Sequence, residues 1–289
     1  MRSAQFPENR FGLAFVALAI SLGIGLAGCS AAGPGPTVMP QATATVAADA
    51  TTQTHIDAAK VALKASKFDE AIREAQAAAA ADPQSSDAQW VLGNAYNEMA
   101  DTQSAADLRQ NTLSKAVDAY LQALKLNPNS DAAYTNLAIV YYKTAQFDDA
   151  QKQVEQALKI NPTDATSHYV LGTIYLQRDI KQNPDALDKA QAEFEAAVQN
   201  DPKLGAAYIG LANVYLARKD SAKALQNAQK GVELTQDAPD PFVYWALAQA
   251  QSATGDKAGC TKTIEKISSF KVANPSFNQQ LQKLTQQCK

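Results

Sequence analysis

The 289-residue sequence predicts an all-α protein made of helix pairs that stack side by side. Three observations support this fold class. Similar segments recur along most of the chain, an Asp-Pro or Asn-Pro pair closes each of four consecutive segments, and two of these prolines, Pro128 and Pro162, are 34 residues apart. Inside each segment, large and small apolar residues recur at helical spacing, which favours packed helices over strands.

The first thirty residues have the pattern of an export signal. Arg2 and Arg10 precede an apolar run from Phe11 to Ala27, which is short for a membrane span and typical of a signal-peptide core. The run ends in Leu-Ala-Gly-Cys29, which resembles the bacterial lipoprotein signal. The resemblance implies removal of residues 1–28 and acylation of Cys29, and an uncleaved membrane anchor is the alternative. Several acyl chains on one residue would anchor the chain stably.

The lipoprotein resemblance also implies a location in the bacterial cell envelope. Because Ser30 and not Asp follows the cysteine, sorting by analogy favours the periplasmic side of an outer membrane in a cell that has two membranes. In a cell with one membrane, the external face of the cytoplasmic membrane is expected. Residues 29–53 contain one charge and no aromatic residue, so they are expected to form a flexible linker after the lipidated cysteine.

From about residue 54 the recurring segments can be aligned on three kinds of position. A stripe of a large, a small and an aromatic residue marks the first half of a segment, an alanine marks the second half, and the Asx-Pro pair ends it. The stripes are Leu92, Gly93 and Tyr96; Leu137, Ala138 and Tyr141; Leu171, Gly172 and Tyr175; and Leu211, Ala212 and Tyr215. The alanines are Ala71, Ala116, Ala150, Ala190 and Ala224, and the closing prolines are Pro83, Pro128, Pro162 and Pro202.

These residue patterns resemble the tetratricopeptide repeat (TPR). The resemblance implies a right-handed α-solenoid of about six helix-turn-helix repeats over residues 54–274, with a capping helix in residues 275–289 that covers the open hydrophobic end. The six predicted repeats are His55–Pro83, Asp87–Pro128, Ala132–Pro162, Ala165–Pro202, Ala206–Asp237 and Phe242–Ala273. The second repeat has extra residues that suit longer helices, and the fourth has extra residues around Pro184 that suit a loop.

Two cysteines remain once Cys29 is assigned to lipid. Cys260 and Cys288 lie on either side of a predicted corner at Asn274-Pro275, so antiparallel helices would bring them together. In an exported protein this arrangement favours a disulfide, and two buried free thiols are the alternative.

The sequence contains no motif for a metal, a cofactor or a catalytic centre. A mildly acidic chain, with 26 basic and 29 acidic residues, has no electrostatic signature for nucleic acid. His55 and His168 occupy positions that hold a large packing residue in other repeats, so packing explains them. The repeats use almost all of the mature chain, so no separate catalytic domain is expected and the chain is predicted not to be an enzyme.

The candidate site is therefore the concave surface, which the first helix of each repeat lines in the TPR family. The positions beside the packing stripe combine aromatic and amide side chains, which suit an extended peptide or a protein partner. The carboxylate-binding form of the family uses Lys, Arg and Asn, and here only Asn94 and Asn213 match it. The predicted groove residues are Trp90, Asn94, Asn97, Thr135, Ile139, Tyr142, Tyr169, Thr173, Leu176, Ile209, Asn213, Leu216, Trp245 and Gln249.

The function that the sequence favours is a membrane-anchored TPR scaffold that binds a protein during assembly of an envelope complex. Lipoproteins of this kind resemble those that help assemble type IV pilus secretins. An alternative is a lipoprotein whose groove binds a glycan or exopolysaccharide through its aromatic residues, and an envelope enzyme is a weaker one.

Overall fold

The computed structural model describes residues 41–178, 185–236, 240–270, 272 and 275–289. In these ranges the chain forms thirteen α-helices and no strand. It divides into two compact units, of which the described parts are an N-terminal unit (residues 41–162) and a C-terminal unit (residues 163–289). The predicted signal peptide 1–28, Cys29, residues 30–40 and most of the loop predicted around Pro184 lie outside the described residues.

The N-terminal unit contains three helix pairs. The first helix of each pair is followed, after a short turn, by a second helix that packs against it. The helices are α1 (Gln41–Lys64), α2 (Phe68–Ala81), α3 (Ser86–Thr102), α4 (Ala106–Leu126), α5 (Asp131–Lys143) and α6 (Phe147–Ile160).

The C-terminal unit contains three further pairs and a last helix. Each pair again consists of two consecutive helices in contact. The helices are α7 (Ala165–Arg178), α8 (Ala186–Asn200), α9 (Gly205–Ala217), α10 (Ser221–Leu234), α11 (Pro241–Thr254), α12 (Lys257–Ser269) and α13 (Pro275–Gln287).

The first helix begins earlier than the sequence predicts. Because α1 starts at Gln41, residues 41–53, which were assigned to the flexible linker, are helical instead. The physical reason is their high alanine content, since alanine is the best helix former and no Gly or Pro interrupts this stretch. Thr52 is buried in this extension, so part of it packs against the unit.

The second pair is longer than the others, as the sequence predicts. The helices α3 and α4 contain 17 and 21 residues, whereas α5 and α6 contain 13 and 14. The longer helices keep the same packing face, since Gly93 and Ala116 remain buried at their predicted positions. The first turns of α4 are exposed, including Leu108.

The Asx-Pro pairs end their helices by a local hydrogen bond as well as by the proline. The side chains of Asp82, Asn127 and Asp201 each accept a hydrogen bond from the backbone N–H two residues later. These Asx turns offer the backbone an alternative to continuing the helix. Serine then starts the next helix in two cases, because Ser85 and Ser130 accept from the backbone N–H three residues on.

The two helices of a pair pack closely because the residues that face each other across the contact match in size. A Cβ atom added to Gly93 would lie 2.5 Å from the Tyr120 ring, and one added to Gly172 would lie 2.9 Å from the Phe194 ring. Phe194 also lies against Gly210 of the next pair, where an added Cβ would come within 2.5 Å. Glycine therefore sits wherever the facing residue of the second helix is aromatic.

Alanine replaces glycine at this position when the facing residue is smaller. A small residue on the first helix therefore faces a residue on the second helix whose size fills the remaining space, and both residues are fully buried. Such complementary sizes give a close-packed interior. The alanine pairs at the equivalent positions are Ala59 with Ala75, Ala138 with Val154 and Ala212 with Ala228.

The C-terminal helix α13 lies against α11 and α12. Phe277 packs on Phe242 and Trp245, with ring centroids 5.2 and 5.4 Å apart, and Leu284 is buried beside them. Cys260 of α12 and Cys288 at the end of α13 form a disulfide whose Cα atoms are 5.7 Å apart. Both cysteines are buried, so the bridge is shielded from solvent.

No helix among the described residues combines the length and the apolar character that crossing a membrane requires.

We expect Gly172→Ala to lower the free energy of unfolding by about 1–2 kcal/mol, because overpacking against Phe194 outweighs the helix preference of alanine. Phe194→Val should lower it too, by leaving a cavity. The double variant should lose less stability than the sum of the two single losses, because the space left by Phe194→Val accepts the methyl group that Gly172→Ala adds. Chemical denaturation of the four proteins measures this, and strictly additive losses would contradict the size match.

We expect reduction of the Cys260–Cys288 bridge to lower the free energy of unfolding by about 3–4 kcal/mol in the chain-entropy view, for a loop with a sequence separation of 28. Denaturation with and without a dithiol reductant measures the change. The double variant Cys260→Ala/Cys288→Ala is the control and should not respond to the reductant. Two reactive thiols in the denatured, unreduced Cys29→Ser chain would show that the bridge does not form.

Candidate functional site

The faces of the first helices form the inner side of each unit. In the N-terminal unit α1 contacts α3 and α3 contacts α5, and in the C-terminal unit α7 contacts α9 and α9 contacts α11. Among the described residues of each unit, the second helices contact first helices but not one another. First helices are thus closer together than second helices, so each unit curves with its first helices on the concave side.

The predicted groove residues fall into three repeated positions on these helices, and the first of the three packs in the core. Thr135 and Trp245 are only 3% and 7% exposed, and Ile209 is also buried. Trp90 and Tyr169 are half-buried and pack against core clusters. The prediction that Thr135, Ile209 and Trp245 line the groove surface is corrected by this burial, because side chains with so little exposure are packed inside the protein.

The second position lies on the floor of the groove and stays partly accessible in every pair where it was predicted. The residues at this position are all half-buried, and they are Asn94, Ile139, Thr173, Asn213 and Gln249.

The third position lies one turn further along each first helix. Asn97, Tyr142 and Leu216 are half-buried there, whereas Leu176 is buried. Tyr142 packs edge-on against Phe147, with ring centroids 5.8 Å apart. The structure therefore brings the second and third positions together as a surface, except for Leu176, whose predicted place in the groove is corrected by its burial, and it assigns the first position to packing.

A hydrogen-bonded network links the groove floor of the N-terminal unit to its core. The buried Tyr120 hydroxyl of α4 donates to Asn94 Oδ1 at 2.7 Å, and Asn136 Nδ2 of α5 donates to the same oxygen at 2.8 Å. Burial raises the pKa of Tyr120 well above its ordinary value, so the hydroxyl keeps its proton and remains a donor. Asn94 is therefore held in one orientation.

A charged cluster that sequence reasoning missed lies beside this network. Lys143 Nζ donates to Asn97 Oδ1 at 2.8 Å and forms an ion pair with Asp101 at 2.7 Å. Burial, and then the charge of Asp101, raise the pKa of the nearby Glu98 carboxyl, while Lys143 lowers it. Lys143 is the last residue of α5, and only its place one residue after the predicted Tyr142 could have indicated it.

The groove amides of the C-terminal unit differ from those of the N-terminal unit. Asn213 of α9 and Gln249 of α11 occupy equivalent positions on adjacent helices, and neither side chain forms a hydrogen bond within the described part of the chain. Thr173 of α7 donates to the backbone carbonyl of Tyr169 at 2.8 Å. Burial raises the pKa of Tyr169 to about 12.

The two histidines pair with glutamates at matching repeat positions. The distance from Nδ1 to the carboxylate is 2.7 Å both for His55 with Glu74 and for His168 with Glu193. Each pair links the first and second helices of one repeat. Within the described ranges, no group of His, Cys, Asp and Glu has the arrangement of a metal site.

Comparison with protein families gives two matches along the chain. The family described as "Regulator of microtubule dynamics protein 1-3" matches residues 55–177, and the family described as "Tetratricopeptide repeat" matches residues 185–241. Among curated proteins, the BBSome complex member BBS4 of Bos taurus is 33% identical over 137 residues, which are 47% of this chain and 24% of that protein. The chain thus spans about a quarter of the length of this relative.

Solved structures with little sequence identity share the fold. The APC/C hetero-tetramer Cut9-Hcn1 has a TM-score of 0.69 at 14% identity, over 86% of this chain and 46% of the other. A solved structure of Pseudomonas aeruginosa pilF has a TM-score of 0.63 at 13% identity, over 82% of this chain and 99% of the other. These likenesses agree with the paired helices and with the repeat match over residues 185–241, and they show that the chain has an all-α solenoid fold of the tetratricopeptide-repeat kind.

Proposed function

We propose that this protein is a non-enzymatic, membrane-anchored scaffold that holds a protein partner on the concave faces of its repeats. The partner would be part of a pilus-type or secretion-type complex in a bacterial cell envelope. Helix pairs account for nearly all of the described chain, which suits a scaffold more than a catalyst.

The observation that carries the binding role is the pair of amides in the C-terminal unit. Asn213 and Gln249 lie at equivalent positions of neighbouring helices and keep their donors and acceptors free of internal hydrogen bonds. Half-buried amides gain more stability from hydrogen bonds to a partner than exposed amides do, since water hydrates them only in part. A polypeptide backbone offers alternating N–H and C=O groups that match such amides.

The groove of the C-terminal unit also carries no charge at the predicted positions. Thr173, Asn213, Leu216 and Gln249 are neutral, so the expected partner segment is uncharged where it lies against them. Binding would depend on shape and hydrogen bonds, and its affinity would change little with salt concentration.

The membrane anchor is supported by the amino-terminal sequence. The apolar run, the small residues before Cys29 and the cysteine itself follow one another in the order of a lipoprotein signal. A lipid on Cys29 would keep the scaffold at a membrane surface and raise the local concentration of its partner there.

We expect Cys29→Ser to abolish incorporation of a labelled fatty acid when the chain is expressed in a bacterium, because only the thiol forms the thioether. In a detergent partition assay, the variant should move from the detergent phase to the aqueous phase. Ser30→Ala is the matched control, since it changes the adjacent hydroxyl and should leave labelling unchanged. Label that persists in Cys29→Ser would contradict lipidation at this residue.

We expect Asn213→Ala/Gln249→Ala to weaken partner binding by about 10-fold or more at unchanged thermal stability, because two hydrogen bonds to the partner are lost. A short peptide selected on the wild-type chain from a displayed library is the probe, and its affinity for each variant is the measurement.

Asn227→Ala is the matched control for this pair. Asn227 lies on the second helix α10, where it donates to the carbonyl of Lys223 at 2.8 Å, so its loss should not change the affinity for the peptide. Equal affinities for all three proteins would remove these groove residues from the binding site. Selective capture of a glycan in place of any peptide would contradict the proposed scaffold function.

A further inference from the structure

We propose that the last helix, α13, is a redox-controlled cover of the C-terminal unit. The Cys260–Cys288 bridge holds this cover in place, and a dithiol reductant that opens the bridge releases it. The inference goes beyond the proposed scaffold function, because it assigns a conformational change to one end of the fold. It does not depend on which partner the repeats bind.

Helix α13 lies where the first helix of a further pair would lie. It contacts both helices of the preceding pair, α11 and α12, in the same way that α11 contacts α9 and α10. Every earlier first helix also packs against the helix that follows it, whereas α13 has no second helix of its own within the described part of the chain. The protein therefore holds α13 from one side only.

The contacts of α13 with this unit come from one narrow stripe of side chains. The other side chains of the helix are mostly polar and exposed. Because a helix of 13 residues is marginal in water by itself, α13 depends on the stripe for its stability. The members of the stripe recur at helical spacing and are Phe277, Leu281, Leu284 and Cys288. The bridged cysteine is thus the last member of the stripe.

The surface under α13 is apolar and contains an unsatisfied hydrogen-bond donor. Phe277 lies on Trp245 with ring centroids 5.4 Å apart, and Ile264 and Ile267 of α12 belong to the same buried cluster. The indole N–H of the buried Trp245 makes no hydrogen bond within the described ranges. A buried donor without an acceptor destabilises the covered arrangement. Water would hydrate this donor after release, which offsets part of the cost of exposing the apolar surface.

The bridge shifts the balance between the covered and the uncovered state. While it is intact, α13 is joined to α12 at both ends, by the chain before Pro275 and by the bond between Cys260 and Cys288. After reduction only the chain connection remains, so the released helix gains conformational entropy. Because α13 packs through a single stripe, this gain favours the uncovered state.

Opening of the bridge is a two-step thiol–disulfide exchange. A thiolate of the reductant attacks Sγ of Cys288, which directly follows the last helical residue, Gln287, where a helix end frays. A mixed disulfide forms, and Cys260 leaves as a thiolate. The second thiol of the reductant then displaces Cys288, so the reductant becomes a disulfide and the two cysteines take up the protons that it loses. A disulfide oxidant reverses these steps.

The fluorescence of Trp245 reports the position of α13 once Trp90, the other tryptophan, is replaced. The test uses the full-length chain with Cys29→Ser and Trp90→Phe, with and without dithiothreitol under native conditions. We expect the reductant to shift the emission of Trp245 to longer wavelength and to raise its quenching by acrylamide about 2-fold or more, because local opening exposes the indole to water. Cys260→Ala/Cys288→Ala in the same background is the control, and its strong quenching should not respond to the reductant.

Hydrogen exchange measured by mass spectrometry separates release of α13 from unfolding of the whole unit. On reduction, peptides from residues 275–289 should lose protection, whereas peptides from α7 and α8 should keep theirs. A bridge that stays intact in the reductant, unchanged quenching after complete reduction, or loss of protection throughout the C-terminal unit would each overturn the inference. Reoxidation should restore the original quenching, and its failure to do so would equally contradict a reversible cover.

Discussion

The close approach of the two helices in each pair is the constraint on which the remaining structure depends. At Gly93 and Gly172 the absence of a Cβ atom lets an aromatic ring of the second helix lie directly on the first. The ring of Phe194 then also meets Gly210 of the following pair, so a contact within one pair sets the spacing to the next. Because first helices touch one another and second helices do not, this spacing also gives each unit its concave face.

The groove floor shows how the same residue type can serve two purposes. The side-chain oxygen of Asn94 accepts hydrogen bonds from Tyr120 and Asn136, and these bonds join the surface to the core. The side-chain nitrogen of Asn94 faces the groove. Asn213 at the equivalent position makes no such internal bond among the described residues. An amide that internal hydrogen bonds hold in place loses less entropy on binding than an amide without such bonds. The groove amides of the two units thus differ in how far they are pre-organised.

The repeat pattern predicts the helix pairs and the long second pair because these features depend on local residue order. The groove was predicted less well, since its positions were assigned by register alone. Register does not distinguish Trp90, which is half-buried, from Trp245, which is buried and which Phe277 of α13 covers. Lys143 was missed because its partner Asp101 is distant in sequence and lies in the extension of α3. The start of α1 was misplaced because low charge was interpreted as disorder although alanine favours a helix.

The early start of α1 at Gln41 changes the mechanical link between a lipid and the folded protein. If Cys29 carries the anchor, only residues 30–40 separate it from the rigid helix, and a stretch of that length spans roughly 40 Å at most when fully extended. The repeats would then stay close to the membrane, and the rigid helix α1 would limit their orientation. Such a protein would search for its partner in a thin layer above the bilayer and not through the depth of the surrounding compartment.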